Sequence, residues 1–218
     1  MPENCYKVRN RQMSNKPRSR RRQSGDKQSR MVDAAINLAA RQGWNSLSIS
    51  RIAREAKIPF PEALVMFPTK RMILRSFQDR IDGAVTAETT HDPENQSARD
   101  RLFDVLMRRL EILKPWKGGV TAIAHDMLRD PTDYLYSALS LNRSMAKMME
   151  CAELSSSGLQ GTIRVHGLTV IYLLVLRRWA LDDSEDLSPT MAELDKRLKT
   201  TESILTRICP GRTAKKQD

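Results

Sequence analysis

Apolar side chains recur at helical spacing along most of this chain. Met31, Ala34, Ala35, Leu38 and Ala39 fall at i, i+3, i+4, i+7 and i+8, one face of a helix. The spacing predicts a first helix from near Asp26, closed by Gly43, with Trp44 packing down behind it. Ser48 is placed to cap a second helix reaching Ala56. After a break from Lys57 to Pro59, Pro61 opens a short third helix that ends near Phe67, because its missing N–H is not needed in a first turn. Pro68-Thr69-Lys70 reads as a turn with Thr69 as cap. A long fourth helix then runs through Phe77, Ile81 and Val85 towards His91, and Asp92-Pro93 breaks the chain into two parts.

Further amphipathic helices follow. Ser97 caps one that reaches Lys114 and stops at Pro115, and Gly118-Gly119 is expected to interrupt a shorter one reaching about Leu128. Asp130-Pro131 opens the next, with Tyr134, Ala138, Leu141, Met145, Met148 and Ala152 in alternating steps of four and three. From about Leu159 to Asp182 the pattern is apolar on two faces. Ile163, Gly167, Val170, Ile171 and Leu174 make one face; Leu168, Tyr172, Val175 and Trp179 make the other. A helix apolar all round is covered on both sides. Ser188-Pro189 opens a last helix, in which Met191, Leu194, Leu198, Thr201, Leu205 and Ile208 form a narrow seam of the kind used between helices.

Period-two alternation is not evident, so the expected class is all-α with about nine helices. The expected division is a disordered basic arm over 1–25, a helix-turn-helix unit over 26–91, a ligand-binding and dimerisation domain over 92–210 and a tail over 211–218. A homodimer is expected through Leu168, Ile171, Tyr172, Val175, Met191, Leu194, Leu198 and Leu205, two helices pairing with their symmetry mates. The alternative, a seam packed only inside the subunit, stays open at this point.

Charge sharpens the picture. Residues 1–30 carry 10 Lys or Arg against Glu3 and Asp26, a net of +8; residues 31–83 carry a net of +3 and residues 84–218 a net of zero. That polarity points to a polyanion at one end, double-stranded DNA or an anionic surface, and to something uncharged at the other. The 40% apolar content supports a folded core. Cys5, Cys151 and Cys209 stand far apart and His91, His125 and His166 lack metal-ligand spacing, so neither a disulfide framework nor a metal site is indicated and a reducing cytoplasm fits. The apolar run from Leu168 to Leu176 falls short of the roughly 18 apolar residues of a membrane span, so stable membrane insertion is not expected.

No catalytic motif emerges: there is no G-x-S-x-G, no phosphate loop and no H-E-x-x-H, and Gly158-Leu159-Gln160-Gly161 is a loop entering a helix. Neither an enzyme nor a cofactor is expected. His125-Asp126 reads as a capping or solvated pair. Met127, Met145 and Met148 line an adaptable apolar pocket or simply fill the core, and Trp116, Tyr134 and Trp179 are amphipathic candidates for the same pocket. The ligand expected there is small and apolar, or a lipid.

Two short helices with a tight break followed by a long one make a helix-turn-helix, and from Arg30 to Phe77 the residues resemble the TetR family of transcriptional regulators. Ala34-Ala35 with Leu38, Gly43, Ile52-Ala53 with Ala56, and Phe67, Lys70 and Leu74 carry the resemblance. It implies an N-terminal DNA-reading unit, with Arg51, Phe60, Glu62, Val65, Thr69 and Lys70 at positions that meet DNA, and a ligand-controlled dimer behind it. The third helix departs from the family pattern. Lys57 stands where a glycine is usual, and Pro59, Pro61, Leu64 and Met66 replace small or polar groups. A second resemblance, to a ubiquinone-biosynthesis accessory family that keeps this fold and binds lipid, rests on Gly43-Trp44, Met66-Phe67 and the stretch around Trp116. It implies the alternative of a lipid-binding protein that does not bind DNA.

Overall fold

The computed structural model describes the backbone over residues 17–89, 96–127, 129 and 131–208, and side chains within those ranges from 25 to 200, apart from 131–135. Every regular element there is helical. The nine α-helices are α1 (Pro17–Gln42), α2 (Ile49–Glu55), α3 (Phe60–Met66), α4 (Lys70–Glu88), α5 (Ala98–Leu113), α6 (Lys117–Met127), α7 (Pro131–Cys151), α8 (Gly158–Ala180) and α9 (Ser188–Ile208), with a 3-10 turn at Lys114–Trp116 between α5 and α6.

Local chemistry accounts for most boundaries. Ser48 caps α2 by accepting the Arg51 amide at 3.2 Å, and Ser97 caps α5 by accepting the Asp100 amide at 3.2 Å. Gly43, at φ +77°, closes α1 and donates its amide to the Ala39 carbonyl. The end of α2 is a Schellman motif: the Ile58 amide reaches the Ala53 carbonyl at 2.9 Å and the Lys57 amide reaches Arg54 at 3.1 Å. Lys57 occupies the left-handed slot at φ 56°, where a glycine would be unstrained. The missing glycine therefore changes the residue and not the turn.

Two expectations need correction. The first helix begins at Pro17, well before Asp26, because nothing between Arg18 and Gln23 opposes a helix and Pro17 suits a first position. Gly118-Gly119 does not interrupt a helix but lies in the first turn of α6. Residues 1–16, the Asp92-Pro93 boundary and the tail over 211–218 lie outside the described residues.

The core is one continuous cluster running from α1 through α9. In the head, α1 packs on α2, α2 on α3 and α1 on α4; α6 then lies along α1, and α4, α5, α7, α8 and α9 pack around one another. Trp44, 1% exposed, anchors the α1–α2 turn as expected. Helix α8 is 23 residues long and, by length and apolarity alone, could cross a membrane. Its Val165, Leu168, Tyr172, Val175 and Trp179 side chains are nevertheless buried in the domain.

The α8–α9 joint is tied by Asp182, 4% exposed, whose carboxylate accepts the Thr190 amide at 3.0 Å, the Ser184 amide at 3.1 Å and both hydroxyls. Burial pushes this carboxyl up, but the Ser184 and Thr190 hydrogen bonds outweigh it and bring it from 3.8 to about 2. A carboxyl lowered in the folded state stabilises above its unfolded value and loses that contribution on acidification. Asp182 should thus contribute about 2 kcal/mol at neutral pH, lost as pH falls from about 4 towards 2. Urea midpoints of wild type and Asp182→Asn should converge over that window; a constant gap would contradict the assignment.

Candidate functional site

Helices α2 and α3 meet across the turn at Lys57 and present one outer surface. Ala63, Ile58 and Phe67 point inward and are buried, which leaves Phe60, Pro61, Leu64 and Val65 on the outer edge of α3. Val65 is 83% exposed, Phe60 47% and Leu64 42%. Arg51, Arg54 and Lys57 stand exposed beside this edge. Glu62 does not point a lone carboxylate outward, because Lys27 of α1 pairs with it at 2.5 Å. Thr69 is exposed and precedes α4 in extended backbone. Lys70 donates to the Trp44 carbonyl at 3.0 Å and lies 5.2 Å over the Trp44 ring, so its ammonium helps hold the head together. Of the six residues that the resemblance places against DNA, Arg51, Phe60, Val65 and Thr69 are outward and exposed, while Glu62 and Lys70 are half-buried and engaged within the head.

Behind the head lies a cavity of about 170 Å³ walled by α4, α5, α6, α7 and α8. Leu74, Phe77, Leu113, Ile123, Met127, Leu141 and Leu176 make it mainly apolar, with Tyr136, Arg109 and Tyr172 among the polar groups at its wall. Among the expected ligand residues, Met127 lines this cavity. Met145, Met148 and Trp179 are fully buried in the core instead. Trp116 packs edge-on against Phe77 at 5.7 Å and under the Arg80 guanidinium. The Tyr134 side chain lies outside the described residues.

The polar wall belongs to a buried network. The Arg109 guanidinium donates to Asp82, and also to the Tyr172 hydroxyl at 3.1 Å; Ser144 donates to Asp82 at 2.6 Å and Lys147 stands 3.2 Å from it. Asp82, Arg109, Ser144 and Tyr172 are all at most 3% exposed. Burial pulls the Arg109 guanidinium down, but Tyr172 and Asp82 more than offset it and hold it above its ordinary value. Burial pushes the Tyr172 phenol up, in spite of Arg109. The hydrogen bond to Asp79 is the largest influence holding Lys147 above its ordinary range. Asp82, Arg109 and Ser144 were not expected at a site, and Tyr172 was expected only in the subunit contact; Asp82 and Arg109 are 27 residues apart, and single-sequence spacing does not link them.

Cavity and head share α6. Val120, Ile123, Ala124 and Met127 face the cavity, whereas the opposite side of α6 lies along α1. At the far end Asp126 accepts the Asn45 amide at 3.1 Å, which caps the α1–α2 turn and holds its carboxyl below the usual range. His125 is exposed beside it, so this pair is a capping pair.

The dimerisation residues divide by face. Leu168, Tyr172, Val175, Leu194 and Leu198 are buried against their own chain, which corrects their expected place in a subunit contact. Sequence pattern showed two apolar faces on α8, and packing against α7 and α9 took that one. Ile171 is half-buried, Met191 is 41% exposed, and the Leu205 side chain is outside the described residues. The face left open carries Leu159 at 79%, Ile163 at 63%, Val170 at 57% and Leu174 at 40% exposure.

No protein-family model and no curated protein matches the sequence. Solved structures do. A TetR transcriptional regulator from Nitrosomonas europaea superposes with a TM-score of 0.65 at 21% identity, over 81% of this chain and 98% of that one. A TetR transcriptional regulator from Rhodococcus sp. RHA1 superposes with a TM-score of 0.61 at 15% identity, over 82% and 96%. The chain has the TetR fold. Within that TetR fold the departures in α3 are substitutions on an intact helix-turn-helix. Pro59 and Pro61 start α3 without disturbing it; of the substituted positions Pro61 and Leu64 lie on the exposed apolar edge, beside Phe60 and Val65, while Met66 is half-buried against the core.

Proposed function

We propose that this protein is a homodimeric DNA-binding transcription regulator of the TetR type, cytoplasmic, whose head releases DNA when a small uncharged apolar ligand enters the cavity. The observation that carries this reading is the double duty of α6, one side walling the cavity and the other packed along α1, with Asp126 capping the turn into the reading helices. A ligand that displaces α6 changes the setting of α2 and α3 through contacts already made. No catalytic role is proposed. The cavity, about 170 Å³, is close to engineered cavities of about 150 Å³ that take a single benzene ring. The ligand is accordingly small, or enters with some widening between α4, α6 and α7.

Dimerisation is assigned to the open face of α8. Exposed apolar side chains at Leu159, Ile163, Val170 and Leu174 follow one helical line, and a contiguous apolar patch of this kind marks a contact surface. Val170→Asp places a charge there without touching the core. One experiment tests both parts: analytical ultracentrifugation and fluorescence anisotropy on duplex DNA from upstream of the protein's own gene and on a scrambled duplex. Wild type should sediment as a dimer and prefer the upstream duplex. Val170→Asp should stay folded, sediment as a monomer and lose about tenfold or more in affinity, since one half-site is then bound without the other. If wild type ignores both duplexes at moderate salt, the regulator reading falls.

A further inference from the structure

The outer edge of α3 is apolar where a reader of base edges would be expected to carry donors and acceptors. Phe60 and Leu64 share one helical line and Pro61 and Val65 the next, all four exposed, and Pro61 has no N–H to offer. Such an edge in the interior of a groove cannot bond to guanine or adenine. It can bury methyl groups, and in the major groove one base alone presents a methyl, the C5-methyl of thymine. The surroundings fit a nucleic acid duplex. Arg51, Arg54 and Lys57 are exposed on α2 and the turn, and none is paired with an acid among the described residues. The two acids of α2 and α3, Glu55 and Glu62, are paired with Arg41 and Lys27 at 2.5 Å each and do not meet the phosphates as lone charges.

We propose that α3 reads its DNA site through thymine methyl groups packed against Phe60, Leu64 and Val65, while Arg51, Arg54 and Lys57 hold the flanking phosphates. Specificity then comes from apolar contact, and preferred sites are rich in thymine at the steps under α3. This rests on the regulator reading above, and the test separates the two. Phosphate contacts supply affinity that is blind to sequence and falls with salt. Methyl contacts supply a preference that salt leaves largely alone.

The experiment selects duplexes from a randomised library with the full chain, then prepares the enriched pool in two forms, one with thymine and one with uracil throughout. Uracil differs only by the missing methyl. Burial of one methyl is worth about fourfold in affinity, so two per half-site give about tenfold or more. The thymine pool should bind at least about tenfold more tightly, with the same salt dependence as the uracil pool. Val65→Ala and Leu64→Ala, both on exposed positions, should bring the ratio of the two pools towards one. An enriched pool that binds equally well in both forms overturns the methyl reading and leaves the regulator reading standing. A library that does not enrich overturns both. In that case, sedimentation of the protein with vesicles of phosphatidylglycerol would assign the same apolar and basic surface to anionic lipid.

Discussion

Replacing Asp82 by Ala is expected to destabilise the fold by about 3–5 kcal/mol. Asp82 on α4 is the carboxylate that satisfies Arg109 of α5 and Ser144 of α7, and through Arg109 it is linked to Tyr172 of α8. Removing it leaves a guanidinium 3% exposed with no other carboxylate paired to it among the described residues. The cost is that of a buried charge without a partner, not the strength of the lost contact. Lys147 suffers less, because its ammonium also holds Asp79 at 2.8 Å and is 43% exposed. The test of this account is the double variant Asp82→Leu with Arg109→Met. With both charges gone, no uncompensated group remains, so most of the loss should return, giving a coupling energy of several kcal/mol in a double-mutant cycle. Urea unfolding of the four proteins measures it. A loss under about 1 kcal/mol in the single variant would mean that water reaches Arg109 from the cavity and stabilises it there.

Much of the fold was legible because helix signals are local. The i, i+3, i+4 spacing in α1, the serine caps of α2 and α5 and the prolines at the start of α3 and α7 each act over a few residues, and the structure keeps them. What the sequence does not show is which of two equal choices packing will take. Helix α8 has two apolar faces of similar strength, and the one carrying Leu168, Tyr172 and Val175 turned inward. The seam of Leu194 and Leu198 on α9 turned inward as well, leaving Ile163, Val170 and Leu174 open.

The same limit holds for the cavity. Met145 and Met148 on α7 have the spacing of pocket residues but are fully buried in the core, and the cavity formed beside them, at Leu141 and Met127. Methionine spacing is compatible with either role. The Arg109–Asp82 pair is a contact between separate helices, and its only trace in the sequence is a charge on the apolar side of each. In the head, the sequence shows α3 departing from the family pattern. The fold shows a helix with an intact geometry and a changed chemistry.

The two neighbouring glycines at the start of α6 should answer oppositely to the same substitution. A Cβ on Gly118 would meet the Ala40 methyl at 3.5 Å, an ordinary contact. Gly118→Ala should therefore gain up to about 1 kcal/mol from the lower backbone entropy of the unfolded chain and better helix propensity. A Cβ on Gly119 would fall 2.4 Å from the Ile36 Cγ2 and 2.5 Å from the Ile36 carbonyl oxygen. The side chain of Ile36 could turn away, but its carbonyl is fixed in the backbone of α1, so the two helices would have to part. Overpacking of this kind costs about 1–3 kcal/mol, from which the helix-propensity gain must be subtracted. The gap between the two variants should still reach roughly 2 kcal/mol. Since α6 walls the cavity at Val120 and Ile123, widening its contact with α1 should also weaken the hold of the cavity on the head. Gly119→Ala should then show faster amide exchange along α1 around Ile36, with Gly118→Ala unchanged or slower there. Equal urea midpoints and equal exchange for the two variants would mean that α1 and α6 do not approach as closely as the Ile36 contact requires, and the route from cavity to reading helices would have to run elsewhere.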